Sequence, residues 1–486
     1  MKGGVHIIID QRSKDRLWWL KTIKSQSSTK GEEIVSKKTS LYTILSIFFI
    51  AAMVLSACAS ATTTTAPQET TAPEATQPPA ASTEVEVFSW WVGPGEADGL
   101  AAMVEIFNQL YPNITFVNAA VTGGAGTNAK AVLATRLAAG DPPDSWQAHA
   151  GQETIANYVA AGQVLPLDDL FSQTGLADVL PATLLPLISQ DGHPYSVPVN
   201  IHRSNVLWYN PKVLADAGVT ANPKTDFDTL DKFFAVCDQI QAAGKTCLAL
   251  GAPWTAVHLF ENIMIGTIGA DKWNGLWSSP PTTDWGGADV AAGIDNFAKA
   301  LSYTNADAST LSDWQPASKL VADGDAAFNI MGDWAYGYFA NQPPNGLALT
   351  PHTDFDWAVS PGTYGVFNFL SDSFVLPVGA KHPDATIDWL KVCASKAGQE
   401  AFNPLKGSIC ARTDCDQSLF SEYSQDAAKD WTSNVVVGSL MHGVVAAPAW
   451  ATSISTAIGL FQADTTKTAD FQSALVNACS SDGTCQ

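Results

Sequence analysis

From Glu84 to Phe88 charged and apolar residues alternate, the period of a half-buried strand. The run leads into Trp90-Trp91 and the loop Gly93-Pro94-Gly95-Glu96. Leu100, Met103, Val104, Phe107 and Leu110 then recur at helical spacing, and Pro112-Asn113 stops the helix. Ile114 to Val117 reads as a second strand. The glycine-rich Thr122-Gly123-Gly124-Ala125-Gly126 reads as a loop and Asn128 to Ala139 as a helix ending at Gly140. Asp141-Pro142-Pro143-Asp144 turns into a short strand through Ser145-Trp146-Gln147. Strand, helix, strand, helix, strand predicts a parallel sheet with right-handed crossovers. Ligands of such sheets sit beyond the strand C-termini. Trp90-Trp91, Gly123-Gly124 and Gln147-Ala148-His149 all occupy that edge.

The same style continues along the chain. Tyr195 to Pro198, Val206 to Tyr209, Ala326 to Met331 and Gly365 to Leu370 read as strands, the last leading to Ser371-Asp372-Ser373. Asp228 to Ala243, His258 to Ile268, Asp384 to Gln399 and the region from Ile454 onward read as helices. The body is α/β throughout, without internal repeat. Gly124 to Ala129 fits G-x-G-x-x-A, but the glycines follow the second strand and no acidic residue sits about 20 positions on in a suitable loop, as a dinucleotide fold requires. Backbone N–H groups at a helix N-terminus donating to a ligand oxygen fit better.

The head of the chain has a different pattern. Lys37-Lys38, an apolar run from Leu41 to Val54, and Leu55-Ser56-Ala57-Cys58 make a positive region, a short apolar core and small residues before a cleavage point, a secretory signal. The run is too short for a spanning helix, which needs about 20 residues. Leu-Ser-Ala-Cys resembles the bacterial lipobox, which implies lipid on Cys58 and a signal peptide over 37–57. Residues 1–36 carry mixed charge and Trp18-Trp19 without a core pattern, and Val35 would serve as an alternative start, so this stretch reads as a start-site artefact. Residues 58–84 are a tether. Ala59 to Thr83 is almost entirely Ala, Thr, Pro, Gln, Ser and Glu, too polar to offset the entropy of ordering.

Composition narrows the partners. Beyond Cys58 the chain holds 17 basic and 43 acidic residues, a net charge of about −26. Phosphate binding needs a basic surface, so nucleic acid is excluded and an anionic solute is disfavoured; a neutral ligand is the natural reading. The length beyond Cys58 exceeds one core and predicts two lobes of about 150 to 200 residues each. Of 16 Trp, 14 lie beyond the tether. Core packing accounts for many of them. The apolar C–H face of a pyranose also suits an aromatic wall, so their abundance points toward sugar. Eight Cys occur. Apart from Cys58 they fall as Cys237/Cys247, Cys410/Cys415 and Cys479/Cys485, with Cys393 over. Three local pairs in an exported chain suggest short-loop disulfides, although spacing does not fix connectivity and free buried thiols are the alternative. Neither C-x-x-C nor H-E-x-x-H occurs, so no metal site and no cofactor are expected.

Longer motifs carry a resemblance. Val87-Phe88-Ser89-Trp90-Trp91, Val121 to Gly126 and Gly140-Asp141-Pro142-Pro143-Asp144 resemble the extracellular solute-binding proteins of sugar ABC importers. So do Ser196 to Asn205, Ala327 to Trp334, Asn403 to Ser408 and Gly438 to Gly443, and together they look like the glucose/mannose-binding branch over about residues 85–470. The resemblance implies a two-lobe periplasmic-binding-protein-like fold, each lobe a sheet flanked by helices. The first lobe would be 85–197 plus 371–409 and the second 198–370 plus 410–486, with hinge crossings near Pro198, Ser371 and Ser408. It implies no catalysis: a monosaccharide is captured between lobes and delivered to an ABC permease by a lipid-anchored monomer on the outer face of the membrane or in the periplasm. Carried over residue by residue, the ligand contacts would be Glu96, Gly124, Gln147, His149, Trp314, Trp334, Asp372, Lys406 and His442, with Trp90 and Trp91 on the same edge. The loop Val92 to Ala97 is one residue longer than the branch's usual form. His202 and Asn205, near the first crossing, read as structural. The rival reading is a surface glycosidase using Glu96, Asp333 and Asp372 as its carboxylates. A third is the same fold with a longer sugar or another polyol.

Overall fold

A computed structural model describes residues 83–482. The segment read as a signal peptide, the expected lipidation site Cys58, residues 1–36 and Cys485 lie outside the described residues, as does the expected tether up to residue 82.

Among the described residues the strands form three principal sheets and one two-stranded hairpin. In the first sheet Ile114–Asn118, Thr83–Phe88, Ser145–His149, Asp372–Val375 and Ser196–Pro198 lie side by side. Thr83–Phe88 runs parallel to both of its neighbours, as the strand–helix–strand pattern requires. Asp372–Val375 returns from far along the chain and pairs antiparallel with Ser145–His149, so the sheet is mixed. Thr83 pairs with Ile114, which brings the last two residues assigned to the tether into the sheet. The second sheet orders Asp356–Val359, Val206–Tyr209, Ala326–Met331 and Thr246–Ala249. The third orders Ile409–Cys410, Asn200–Arg203, Val366–Leu370 and Val435–Gly438.

Helices flank these sheets, and two apolar cores result. One packs Val85, Val87, Met103, Phe107, Trp146, Phe374 and Trp389 around the first sheet and extends through Trp208 to the second. The other packs Phe227, Phe233, Phe260, Phe297 and Phe328 against the long helix Pro253–Leu276. The backbone of that helix breaks at Gly269, at φ 79° and ψ 167°, so the first helical segment ends where His258 to Ile268 predicts and begins one turn earlier, at Pro253. The apolar run from Asp384 to Gln399 is two helices, Pro383–Ala394 and Lys396–Lys406. Ser395 separates them: it is extended, and its side chain caps the second by accepting from the Gly398 N–H. Among the described residues no helix is long and apolar enough to cross a membrane.

Cys237, in the helix Leu230–Ala242, is disulfide-bonded to Cys247 on the strand Thr246–Ala249. Cys410 is bonded to Cys415, Cys393 is a buried free thiol, and Cys479 is disulfide-bonded. The Cys237–Cys247 link closes a loop of sequence separation 10. Replacing both cysteines with Ser should lower the unfolding free energy by about 2 to 3 kcal/mol, read by urea denaturation with the other bridges intact.

Candidate functional site

Three sheets direct their ends at one chamber. Trp90 and Trp91 follow the strand Thr83–Phe88, and His149 ends Ser145–His149. Asp372 opens Asp372–Val375, His202 lies on Asn200–Arg203, and Trp334 follows Ala326–Met331. Lys406 closes the helix Lys396–Lys406, which Gly407 terminates in a left-handed conformation at φ 90°. The space between these groups is about 320 Å³, part of it open solvent, with room for the centre of a water molecule in only about 30 Å³, and Trp314, His442 and Glu96 also line it.

Asp372 is its polar centre. Oδ1 accepts from Gln147 Nε2 at 2.7 Å and Oδ2 from Asn200 Nδ2 at 2.8 Å. His149 Nε2 lies 3.7 Å from Oδ1, and His202 Nε2 3.3 Å from Oδ2 without hydrogen-bond alignment. Burial works to raise the Asp372 carboxyl. The interaction with His202, together with the charges of His149 and Lys406, outweighs it and holds the group well below the usual carboxylate range. His202 is the link to the second sheet. Its Nδ1 meets Asp333 Oδ1, whose other oxygen accepts from the Arg203 N–H at 2.8 Å. Burial favours neutral His202, but the charge and hydrogen bond of Asp333, with Asp372 beyond, push its pKa up. Asp333, His202 and Asp372 therefore stand in line beneath the chamber, with the two acids favouring the charged form of the imidazole.

The remaining polar groups are held in turn. Lys406 Nζ donates to Glu96 Oε1 at 2.9 Å and lies 5.7 Å from the Trp334 ring centroid. His149 Nδ1 donates to Glu153 Oε2 at 2.8 Å, and Lys130 pairs with the same oxygen at 2.7 Å. His442 Nδ1 is 2.8 Å from Ser439 Oγ. Burial first, then the neighbouring His149 and His258, pushes the His442 imidazole well below its ordinary pKa. Aromatic rings close the sides. Trp90 stands 5.1 Å from His149, and Trp334 stands 5.2 Å from His442 and 6.4 Å from Trp254.

Of the eleven residues expected to contact a ligand, Trp90, Trp91, Glu96, His149, Trp314, Trp334, Asp372, Lys406 and His442 line this chamber. Gln147 does not. It stands behind, bridging Asp372 and the Trp90 N–H, whose bond to Oε1 measures 3.2 Å. Gly124 does not either. A Cβ there would come within 2.1 Å of Asp313 Oδ1 and 2.4 Å of Trp254 Nε1, so the missing side chain permits a close approach of two loops. Gly126, at φ 75°, lies against the Trp90 ring in the same way. His202, read as structural, is both a wall of the chamber and a structural link. Trp254 escaped the sequence reading. It follows the strand Thr246–Ala249, at the strand end where the same C-terminal rule would have found it.

Outside the chamber lies a wider groove of about 2180 Å³, part of it open solvent. It runs between the helices Thr127–Ala138 and Pro448–Ala463, and Ala125 and Trp254 border both spaces. Behind His442, one ligand atom each from His258, Glu261 and His442 lie within 4.8 Å of one another, a spacing a metal could span. Glu261 is committed elsewhere: its two oxygens accept from Ser204, Asn368, Ser439 and the Leu440 and Met441 N–H groups. Five donors on one carboxylate suit an anion and not a cation.

This assembly, sheets flanked by helices in two lobes with a chamber at their strand ends, is that of a periplasmic solute receptor. A family model for the bacterial extracellular solute-binding proteins matches residues 81–400, and the chain belongs to that family. An uncharacterized ABC transporter extracellular-binding protein of Pyrococcus horikoshii is 32% identical over 82% of this chain and 88% of its own length. A probable sugar-binding periplasmic protein of Rhizobium meliloti is 31% identical over 75% of this chain and 85% of its own. Among solved structures, a bacterial solute receptor with an exclusive preference for β-D-galactopyranose superposes with a TM-score of 0.70 at 18% identity, over 82% of this chain and 99% of that one. A raffinose-bound binding protein superposes at 0.65 and 16% identity, over 83% of this chain and all of that one. These two likenesses concern the fold.

His258 is buried beside the site, and burial pushes its pKa down to about 3, against a weaker opposing hydrogen bond from Ser204. The unfolded chain, near 6.5, binds the proton that the folded chain refuses. This residue's contribution to stability is therefore complete above pH 6.5 and lost as pH falls toward 3. His258→Gln should flatten the fall of unfolding free energy between pH 6 and 5 by about 1.4 kcal/mol per pH unit, read by urea unfolding. An unchanged slope would mean that the imidazole takes up its proton in the folded protein.

Proposed function

We propose that this protein captures a neutral monosaccharide, glucose- or mannose-like, between its two lobes and hands it to an ABC permease. The observation that carries the reading is the chamber: Trp walls with Asp372, Lys406, His149 and His442 converging on one space. Apolar ring faces suit the C–H face of a pyranose. Asp372 accepts from hydroxyls, Lys406 donates to them, and charged partners strengthen such bonds about twofold. The relatives support sugar as the class. Beside the Rhizobium protein, a xylose/arabinose-binding protein of Haloferax volcanii is 28% identical and a glucose-binding protein of Saccharolobus solfataricus 26% identical.

The lobes we assign are 85–197 plus 371–409 and 198–370 plus 410–486, hinged near Pro198, Ser371 and Ser408. The strand grouping supports this division, because the strands of the first sheet fall in one lobe up to the crossing at Pro198 and all strands of the second in the other, while the third sheet, with Ile409–Cys410 at the boundary, lies at the crossings. Closure follows from contacts a ligand makes with both lobes at once, which shift the population toward the shut form. On this reading the protein acts as a monomer, tethered at the outer face of the membrane through lipid on Cys58.

The glycosidase reading loses its carboxylates. Asp333 faces His202, Glu96 is paired with Lys406, and Asp372 is held in the ionised form, the opposite of a proton donor. A longer glycan is favoured by one observation, the outer groove that continues past Trp254. Its first unit would occupy the chamber and the rest would lie between the two bordering helices.

Glucose should raise the melting temperature of the protein, and Asp372→Ala should abolish that rise while leaving a cooperative transition. A variant that still responds would remove Asp372 from the site. Titrating tryptophan fluorescence with glucose, mannose and their oligomers separates the monosaccharide from the longer ligand, since only the latter gains affinity with added units.

A further inference from the structure

Glu261 lies fully buried on the long helix Pro253–Leu276, away from the chamber, and lines no part of it. Three of its neighbours can only donate. Asn368 Nδ2 reaches Oε1 at 2.9 Å, and the Leu440 and Met441 N–H groups reach Oε2 at 2.7 and 3.1 Å. Two hydroxyls complete the set: Ser204 Oγ lies 2.6 Å from Oε1, and Ser439 Oγ 3.0 and 2.9 Å from the two oxygens. Burial raises this carboxyl, against the hydrogen bonds that favour its ionised form. With every neighbour able to donate and three unable to accept, the set fits an acceptor at both oxygens, with the Ser439 proton pointing at Glu261.

That fixes what Ser439 can offer elsewhere. A hydroxyl carries one proton. Having given it to Glu261, Ser439 Oγ can only accept, and it accepts from the His442 backbone N–H at 3.3 Å. The His442 ring nitrogen Nδ1, 2.8 Å from the same oxygen, must therefore carry hydrogen. The imidazole is neutral, because burial and the nearby His149 and His258 disfavour its charge. The other ring nitrogen, Nε2, has no hydrogen-bond partner among the described residues, and the ring lines the chamber.

We propose that Glu261 is a positioning residue: acting through Ser439, it holds His442 as the Nδ1–H tautomer, so that Nε2 presents a lone pair to the chamber and demands a donating hydroxyl from the bound solute. A sugar hydroxyl meets that demand, whereas a fluorine or ether oxygen at the same place would set two acceptors against each other. His442 is then a specificity-determining contact whose polarity is set one residue away from the ligand. The consequence for the solute rests on the sugar reading above; the tautomer does not.

Nitrogen-15-labelled imidazoles report the tautomer directly in the ligand-free protein, with His442 assigned by the signal lost in His442→Gln. In the wild type we expect hydrogen on Nδ1. In Glu261→Gln the amide nitrogen should donate to Ser439, whose proton then turns to His442 Nδ1 and drives hydrogen onto Nε2. Asn368, whose Oδ1 has no partner, can turn over to accommodate the new amide. A wild-type His442 protonated at Nε2, or present as a mixture of tautomers, overturns the proposal, and that spectrum decides it even should the variant fail to fold. A reversal in Glu261→Gln supports the relay, and a folded variant that keeps Nδ1–H overturns it. The binding arm uses glucose and its monodeoxyfluoro series. One position should lose about tenfold or more in wild-type affinity on fluorination and recover part of it in Glu261→Gln. If glucose binds and no position behaves so, the demand on the solute falls; if glucose fails to bind while the tautomer is as stated, the sugar reading falls and the relay stands.

Discussion

A buried charge survives only where opposite charges and hydrogen bonds replace the water it has lost. His202 stands between Asp333, which it meets through Nδ1, and Asp372, whose charge lies 3.3 Å from Nε2, and the three residues gather from three sheets or their ends. Asp372 brings the first sheet, His202 the third, and Asp333 the turn after a strand of the second. Each carboxylate takes further donors: Gln147 and Asn200 on Asp372, the Arg203 N–H on Asp333. Losing the imidazole would leave two anions facing each other in a dry interior, and losing either anion would strand the cation. The line ties the ends of the sheets together where the chamber forms, and it leaves Asp372 ionised with one side toward that space.

Around this line the site is built from close approaches. Gly124 lets one loop reach Asp313 and Trp254, and Gly126 lets Trp90 lie flat on the backbone. Gly407 ends the helix of Lys406 with its Cα against the Asp333 carbonyl, where a Cβ would stand 2.7 Å from the oxygen. The ion pair of Lys406 with Glu96 then joins the end of one helix to the start of another, Glu96–Leu110. Rigid placement of few polar groups between large rings is what gives such a pocket its selectivity, because an unpaired hydroxyl or a misplaced donor costs about 1 to 3 kcal/mol. Glu261 extends the same logic one layer outward, to the polarity of a single ring nitrogen.

Much of the architecture was legible in the chain. The strands Val206–Tyr209 and Ala326–Met331 follow from apolar runs, the second broken only by Asn329, and the helix Glu96–Leu110 from its period and the Pro112 stop. The rule that ligands gather at strand ends placed Trp90, Trp91 and His149 together before any coordinates. Where the reading missed, the reason was burial or distance. The segment from Pro253 to Ile268 is buried over most of its surface and starts a turn before the period shows it, while Gly269 breaks the helix where the pattern ends. Gln147 shares a strand face with His149 but stands two residues back from the strand end, where its side chain reaches Asp372 from behind the chamber. Gly124 borders the outer groove and not the chamber, and its missing side chain admits Asp313 and Trp254, some 130 to 190 residues further on.

The sequence by itself determined the α/β class, the acidic body suited to a neutral ligand, and the aromatic and polar residues available for a site, because these depend on composition and on local period. Only the tertiary structure decided which of those residues share one chamber, how Asp372 keeps its charge and why His442 faces the cavity as an acceptor. Those properties belong to contacts between segments more than a hundred residues apart, and no local pattern encodes the distance between them.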